Sequence, residues 1–260
     1  MRTMMATLLF STLALDSAAV GAAGLPDTGM SKCYDGTTLV ACTDANSGDA
    51  ARFPRQDGRF GRDAKAAAGT LNKTGGGAAG FDYTKIANSG DALPAAAALG
   101  SAASDWACTR DNITGLTWEI KTDDGGLRDK DWTYTWFNSV AATNGGGAGT
   151  AGNTNTCKTA GRCDTEKFIA DVNSGAGLCG HADWRLPSRH ELFTLVNVSR
   201  SSPAIDTAWF PNTVVDSFWS DSTYIGTQNS AWSIASGSGG SGFSQKSVNL
   251  PVRLVRGGRL

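Results

Sequence analysis

The sharpest hydrophobic pattern in the chain begins after Trp106. From Thr114 to Lys121 apolar and polar positions alternate, with Leu116, Trp118 and Ile120 on one side and Thr117, Glu119 and Lys121 on the other. A period of two marks a half-buried strand. Asp123-Asp124-Gly125-Gly126 then reads as a turn. Thr135 precedes Trp136, Phe137, Val140 and Ala141, whose spacing predicts one face of a short helix. Asp164 is placed to cap a second helix with Phe168, Ile169 and Val172 inward, stopped by Gly175. The best-defined helix starts at Ser188, where Glu191 three residues on completes a capping box and Leu192, Leu195 and Val196 form the inner stripe. Short strands are predicted over 217–222, 231–235 and 247–256. In the last, Val248, Leu250, Val252 and Leu254 alternate with Asn249, Pro251, Arg253 and Val255, and Pro251, lacking an N–H, implies a bulge or an edge. Strands that enclose short helices, with many loops, predict an α+β domain built on antiparallel sheet.

Upstream the pattern thins. Residues 64–80 and 95–104 are rich in Ala and Gly and predict ordered loops or short helical turns, with Phe81-Asp82-Tyr83 between them as an anchor. At the start, Arg2, an apolar run from Met4 to Leu15 and small residues from Ser17 to Gly24 read as a secretory signal cleaved after Ala22 or Ala23. The expected organisation is a signal peptide at 1–23, a loop-rich N-terminal arm at 24–105 packed on the main domain, and the main domain at 106–260. No other run approaches the ~20 apolar residues of a membrane span, so the mature chain is expected to have none.

Composition narrows the function classes. The formal net charge is −1 and only 18% of residues are charged, which leaves no electrostatic footprint for nucleic acid. With 33 glycines, small polar residues carry much of the surface. The six cysteines all lie beyond the signal, and an even count in an exported chain points to disulfides. Six cysteines allow 15 pairings. Loop logic prefers Cys33 with Cys42 around the Asp35-Gly36 turn, Cys157 with Cys163 around a short loop, and Cys108 with Cys179 closing a long one. A zinc site is disfavoured, because there is no CxxC pair and neither His181 nor His190 has ligand spacing to the cysteines.

Four separated motifs, in order, carry a family resemblance. Trp106-Ala107-Cys108-Thr109-Arg110-Asp111-Asn112-Ile113-Thr114-Gly115-Leu116-Thr117-Trp118-Glu119 resembles the opening signature of the DUF1566 family, also called the Lcl C-terminal domain. Asp183-Trp184-Arg185-Leu186-Pro187-Ser188 with Glu191-Leu192 resembles its central motif. Phe218-Trp219-Ser220 and Val252-Arg253-Leu254-Val255-Arg256 resemble its closing strands. Asp27-Thr28-Gly29, Cys33-Tyr34-Asp35 and Gln56-Asp57-Gly58 look like the arm found in many exported members, although Arg55 stands where a Gly would be more usual. The Gly-rich insertion between the first two helices is also longer than usual. The resemblance implies a C-type-lectin-like fold, loop-rich and disulfide-stapled, related to formylglycine-generating enzymes and phage receptor-binding domains. The enzyme branch uses two cysteines late in its domain; here residues 180–260 contain none.

Catalytic chemistry finds little support in the residues. His190 should face outward, His181 lies in a Gly-flanked turn, and Ser188 is engaged as a helix cap. Trp184-Arg185-Leu186-Pro187 reads as structural, and Trp118, Trp184 and Trp219 as core. Asp123, Asp124, Asp129 and Asp131 lack calcium-loop spacing and read as solvated turns, so no cofactor is expected, with calcium left open because loops converge in space. Trp132, Tyr134, Tyr224 and Trp232 lie in or beside loops and are the candidate ligand-binding residues. Residues 217–249 combine Ser, Gly, Thr and Asn with a few aromatics, as recognition loops do. The expected function is non-catalytic, adhesin-like binding of a glycan or cell-surface protein receptor by a secreted, cell-surface or periplasmic protein. A structural subunit of a periplasmic or surface assembly is the alternative, and a cryptic enzyme the third.

Overall fold

A computed structural model describes residues 27–42, 55–152 and 154–259. The expected signal peptide at 1–23 lies outside the described residues. The architecture is mixed and sheet-rich, with few and short helices. In chain order it runs β1 (Lys32–Tyr34), β2 (Leu39–Ala41), a 3-10 turn (Asp57–Arg59), α1 (Gly61–Ala67), β3 (Tyr83–Ala87), β4 (Ala92–Leu93), β5 (Trp106–Asp111) and β6 (Thr117–Glu119). It continues with α2 (Thr165–Val172), α3 (Arg189–Phe193), β7 (Ser217–Thr223), β8 (Ser230–Ala235), β9 (Ser241–Gln245) and β10 (Val255–Arg256). β1 and β2 form a hairpin; β10-β6-β5-β3-β4 form a five-stranded sheet; β7-β8-β9 form a three-stranded sheet. Every strand pairing is antiparallel.

All three preferred disulfides are present: Cys33–Cys42, Cys108–Cys179 and Cys157–Cys163. Two helix starts follow their local chemistry. The Asp164 carboxylate accepts from Lys167 N at 2.8 Å. Ser188 Oγ accepts from Glu191 N, while the Glu191 carboxylate accepts from Ser188 N and grips Arg185 with two bonds of 2.8 Å. Near the hairpin, Arg55 adopts φ 68°, the left-handed region that glycine enters without steric cost.

The apolar interior forms two clusters. Phe81, Tyr83, Leu116, Trp118, Ile120, Leu192 and Val255 belong to the first. Tyr134, Trp136, Phe168, Trp184, Trp219, Val252 and Leu254 belong to the second. Trp118 and Trp219 are 0% exposed and Trp184 is 2% exposed. Phe81 and Tyr83 do anchor the arm, and more than that: β3 pairs directly with β5, with Tyr83 opposite Asp111 and Ile86 opposite Cys108.

Four expectations need correction. β6 is buried on both sides, because Thr117 and Glu119 are covered as well as Trp118, and Lys121 just beyond it is buried too. Residues 136–141 form no helix. The Trp136 N–H donates to Lys246 O and the Trp136 carbonyl accepts from Thr150 N, so distant segments take the groups a helix needs. Of the expected strand 247–256, only Val255–Arg256 joins a sheet, with one bridge from Leu250 to Tyr134. β9 and α1 were not foreseen as full elements.

Asp82 shows how the arm is locked. Its carboxylate accepts from Thr74 N and Gly75 N at 2.8 Å and from Asn112 Nδ2 at 2.9 Å. Burial alone pushes this carboxyl up, but the Asn112 amide, the two N–H groups and the Arg62 guanidinium outweigh burial and hold it below its ordinary value. A carboxylate depressed on folding stabilises above its unfolded value, about 3.9, and loses that contribution as pH falls through the folded one. Between pH 5 and 2, the urea midpoint of the native chain should therefore fall more steeply than that of Asp82→Asn. Comparing the two cancels the opposite trend of Asp63, whose carboxyl burial pushes up, and leaves of Asp111's burial-driven rise only the small part that the Asp82 charge adds. Parallel acid profiles would contradict this account.

Candidate functional site

Three aromatic side chains, the exposed Phe243 and the half-buried Tyr224 and Trp232, converge at one end of the three-stranded sheet. Trp232 in β8 lies opposite Phe243 in β9, and Tyr224 follows the last residue of β7. Side chains two apart share a sheet face, so Trp232 continues the face of Ile234, which is in the core. Past that core Trp232 is half-buried. The Tyr224 and Phe243 rings stack with centroids 4.0 Å apart and planes 4° from parallel. Trp232 meets Tyr224 edge-on at 5.2 Å, and the Arg189 guanidinium lies 4.4 Å from the Trp232 ring. Gly226 presses on the Tyr224 ring so closely that a Cβ there would sit 2.4 Å from a ring carbon. Ile225, between them, is fully exposed, and Phe243 is 52% exposed.

A polar cleft of about 390 Å³ adjoins this patch. It is lined by Thr150, Thr227, Asn229, Ser230, Gln245 and Lys246, among others. Gln245 lies opposite Ser230, two residues beyond Phe243 and on the same face. Lys246 belongs to the frame instead: its Nζ donates to the Asn144 and Gly147 carbonyls and sits 4.1 Å over Trp136. The arrangement offers flat apolar faces beside amide and hydroxyl groups, the combination that recognises amphipathic rings and peptide surfaces.

Of the four candidate ligand residues, Tyr224 and Trp232 meet in this patch. Trp132 does not join it. Its Nε1 donates to Gly126 O at 2.6 Å and its ring packs against the second cluster. Tyr134 must be withdrawn from the candidates. It is 1% exposed and stacks on Phe168 at 4.5 Å, and burial pushes its phenol well above the ordinary value. Its backbone pairs with Leu250, and its carbonyl also accepts from Trp219 Nε1. Those bonds pull it inward from a stretch that reads as loop. Phe243 was missed, because a lone Phe in a Ser-Gly segment gives no alternation.

His190 is exposed, as expected, and so is His181. Among the described residues, the one hydrogen-bond contact of a histidine ring joins His190 Nε2 to Arg189 Nη2. The acidic turn is self-contained. Lys130 Nζ lies 3.0 Å from both Asp123 and Asp131, and Asp129 accepts from the N–H groups of Asp124, Gly125 and Asp131. Asp124 accepts from Thr122 Oγ1 and Gly126 N.

A family model, described as Lcl C-terminal domain, matches residues 107–256, more than half of the chain. The chain belongs to the Lcl C-terminal domain family. No curated protein and no solved structure matches it. The aromatic patch lies wholly within the Lcl domain, whereas β1–β4 and α1 precede it. Among the described residues, no helix is long and apolar enough to cross a membrane.

Proposed function

We propose that this Lcl-domain protein is an exported, non-catalytic binding protein that recognises a glycan or a cell-surface protein receptor through the Tyr224–Trp232–Phe243 patch and the polar cleft beside it. The observation that carries the reading is the aromatic trio, packed ring on ring yet open to solvent at the sheet end. Rigid aromatics of this kind contribute much contact area at small entropic cost, and they dominate known recognition surfaces. Three disulfides support an oxidising destination: secreted, displayed on the cell surface or periplasmic. A C-type-lectin-like arrangement fits the two antiparallel sheets and short helices, with recognition loops at one end.

The test is a glycan array and a receptor screen with the purified protein, followed by affinity measurements on Tyr224→Ala, Trp232→Ala and Phe243→Ala. Each substitution should weaken binding by roughly tenfold or more, as truncation of a central aromatic usually does. Trp132→Phe should leave affinity unchanged. Binding that survives in the Tyr224→Ala/Phe243→Ala double variant would remove the patch from the proposal.

A further inference from the structure

Three carboxylates meet where the arm closes on itself. Asp27 precedes β1, Asp57 opens the 3-10 turn and Asp63 lies in α1, and one oxygen of each falls within 4.8 Å of the others. Asp63 is 0% exposed. Its Oδ1 accepts from Gly80 N at 2.7 Å, but its Oδ2 is buried with no hydrogen-bond partner. Burial and the Asp27 and Asp57 charges push this carboxyl up, against the Gly80 and Gly29 N–H groups. Asp27 Oδ2 accepts from Asp63 N at 2.9 Å, and Asp57 Oδ2 accepts from Thr28 Oγ1. Among the described residues, no Lys, Arg or His forms an ion pair with any of the three.

The cluster at Asp123, Asp129 and Asp131 is the useful contrast. There a lysine supplies the positive charge and backbone N–H groups fill the buried oxygens. At Asp27, Asp57 and Asp63 a buried oxygen is left over and the negative charge has no near partner. Leaving a buried carboxylate oxygen unpaired is costly. An ion bound by all three would answer both deficits.

We propose that Asp27, Asp57 and Asp63 bind a divalent cation of calcium's class. All three donors are hard oxygens, which disfavours the softer metals that select nitrogen and sulfur. They come from three separate backbone segments, and calcium tolerates the irregular geometry this gives better than magnesium does. The ion would fasten β1, the 3-10 turn and α1 at one point. It would also tighten the arm onto the Lcl domain, because Thr28 O accepts from Val198 N at 2.9 Å and Gly29 packs on Asn197.

The full chain, with its disulfides intact, is stripped with EDTA and titrated with calcium chloride by calorimetry, with thermal unfolding in parallel. One calcium per chain and a higher unfolding temperature are expected, with a weaker response to magnesium. Asp57 is exposed, so Asp57→Asn should fold normally, yet lose roughly tenfold or more in calcium affinity because charge count sets the strength of such sites. Asp63→Asn should lose it too, while Asp131→Asn should bind as the native chain does. Absence of heat and of stabilisation at millimolar calcium overturns the proposal. So does undiminished calcium binding by Asp57→Asn, and a stronger response to magnesium overturns the assignment to calcium's class.

Discussion

Replacing Cys108 and Cys179 together by alanine is expected to lower the free energy of unfolding by about 4 kcal/mol, from the loop-closure entropy of a long cross-link. The bridge spans a sequence separation of 71, joins β5 to the turn before Trp184, and has both sulfurs in the interior. The Cys157–Cys163 bridge spans a separation of only 6. The same chain-entropy argument gives it about 2 kcal/mol. Urea unfolding of the two double variants, with the slopes compared, measures the difference. If both lose the same amount, loop length is not what governs these bridges.

The second large effect centres on Glu119, which is 0% exposed at the middle of β6. Lys121 Nζ lies 3.1 Å from its Oε1, and Leu254 N donates to its Oε2 at 2.8 Å. Arg253, 1% exposed, donates to the Glu119 carbonyl at 2.7 Å. Burial pushes the Lys121 ammonium down and the Arg253 guanidinium down to about 10, and in both the Glu119 charge works against that shift. Burial lowers Arg128 as well, again opposed first by Glu119. The Glu119 carboxylate thus pairs directly with Lys121 and lends its charge at longer range to Arg253 and the half-buried Arg128. Glu119→Ala leaves them without it and should cost roughly 3–5 kcal/mol. Lys121→Met removes one cation and leaves the Leu254 bond and the other partners in place, so it should cost clearly less. Equal losses in the two variants, measured by urea unfolding, would falsify the shared role of Glu119.

Much of this fold was legible where chemistry is local. The Asp164 cap, the Ser188 capping box and the Asp35-Gly36 hairpin each depend on residues three or four apart, and each forms. The disulfide pairs followed from loop lengths, since two short loops left one long partner. The tryptophans of the three motifs were readable as core because their neighbours alternate or cap. What failed depended on contacts made far along the chain. Trp136 and Phe137 have helical spacing, but Lys246, about a hundred residues on, takes the Trp136 N–H. Tyr134 sits in a loop-like stretch, yet Leu250 and Trp219 hold it inside. Lys121 and Arg253 occupied polar positions of alternating patterns and so read as solvent-facing. Nothing local showed that Glu119 would neutralise them in the interior.

The candidate surface was half legible. Tyr224 and Trp232 stood out as aromatics amid small polar residues, and the structure brings them together. Phe243 was hidden because β9 is an outer strand whose Ser and Gly positions carry no period. The acidic residues of the arm, Asp27, Asp57 and Asp63, are scattered over 37 positions, so only the folded backbone could reveal their meeting.

The pairing of β3 with β5 bears on where the molecule can be cut. The stretch that defines the family opens at 107, but its first strand is held on one flank by residues 83–87, and Phe81 and Tyr83 fill its interior from outside that stretch. A gene fragment trimmed to the family limits would lose only Trp106 of the signature residues, yet leave β5 with a naked row of amide and carbonyl groups inviting another chain to zip on. Inheritance and folding thus have different borders in this protein, and a fragment meant to fold by itself should begin upstream of Phe81.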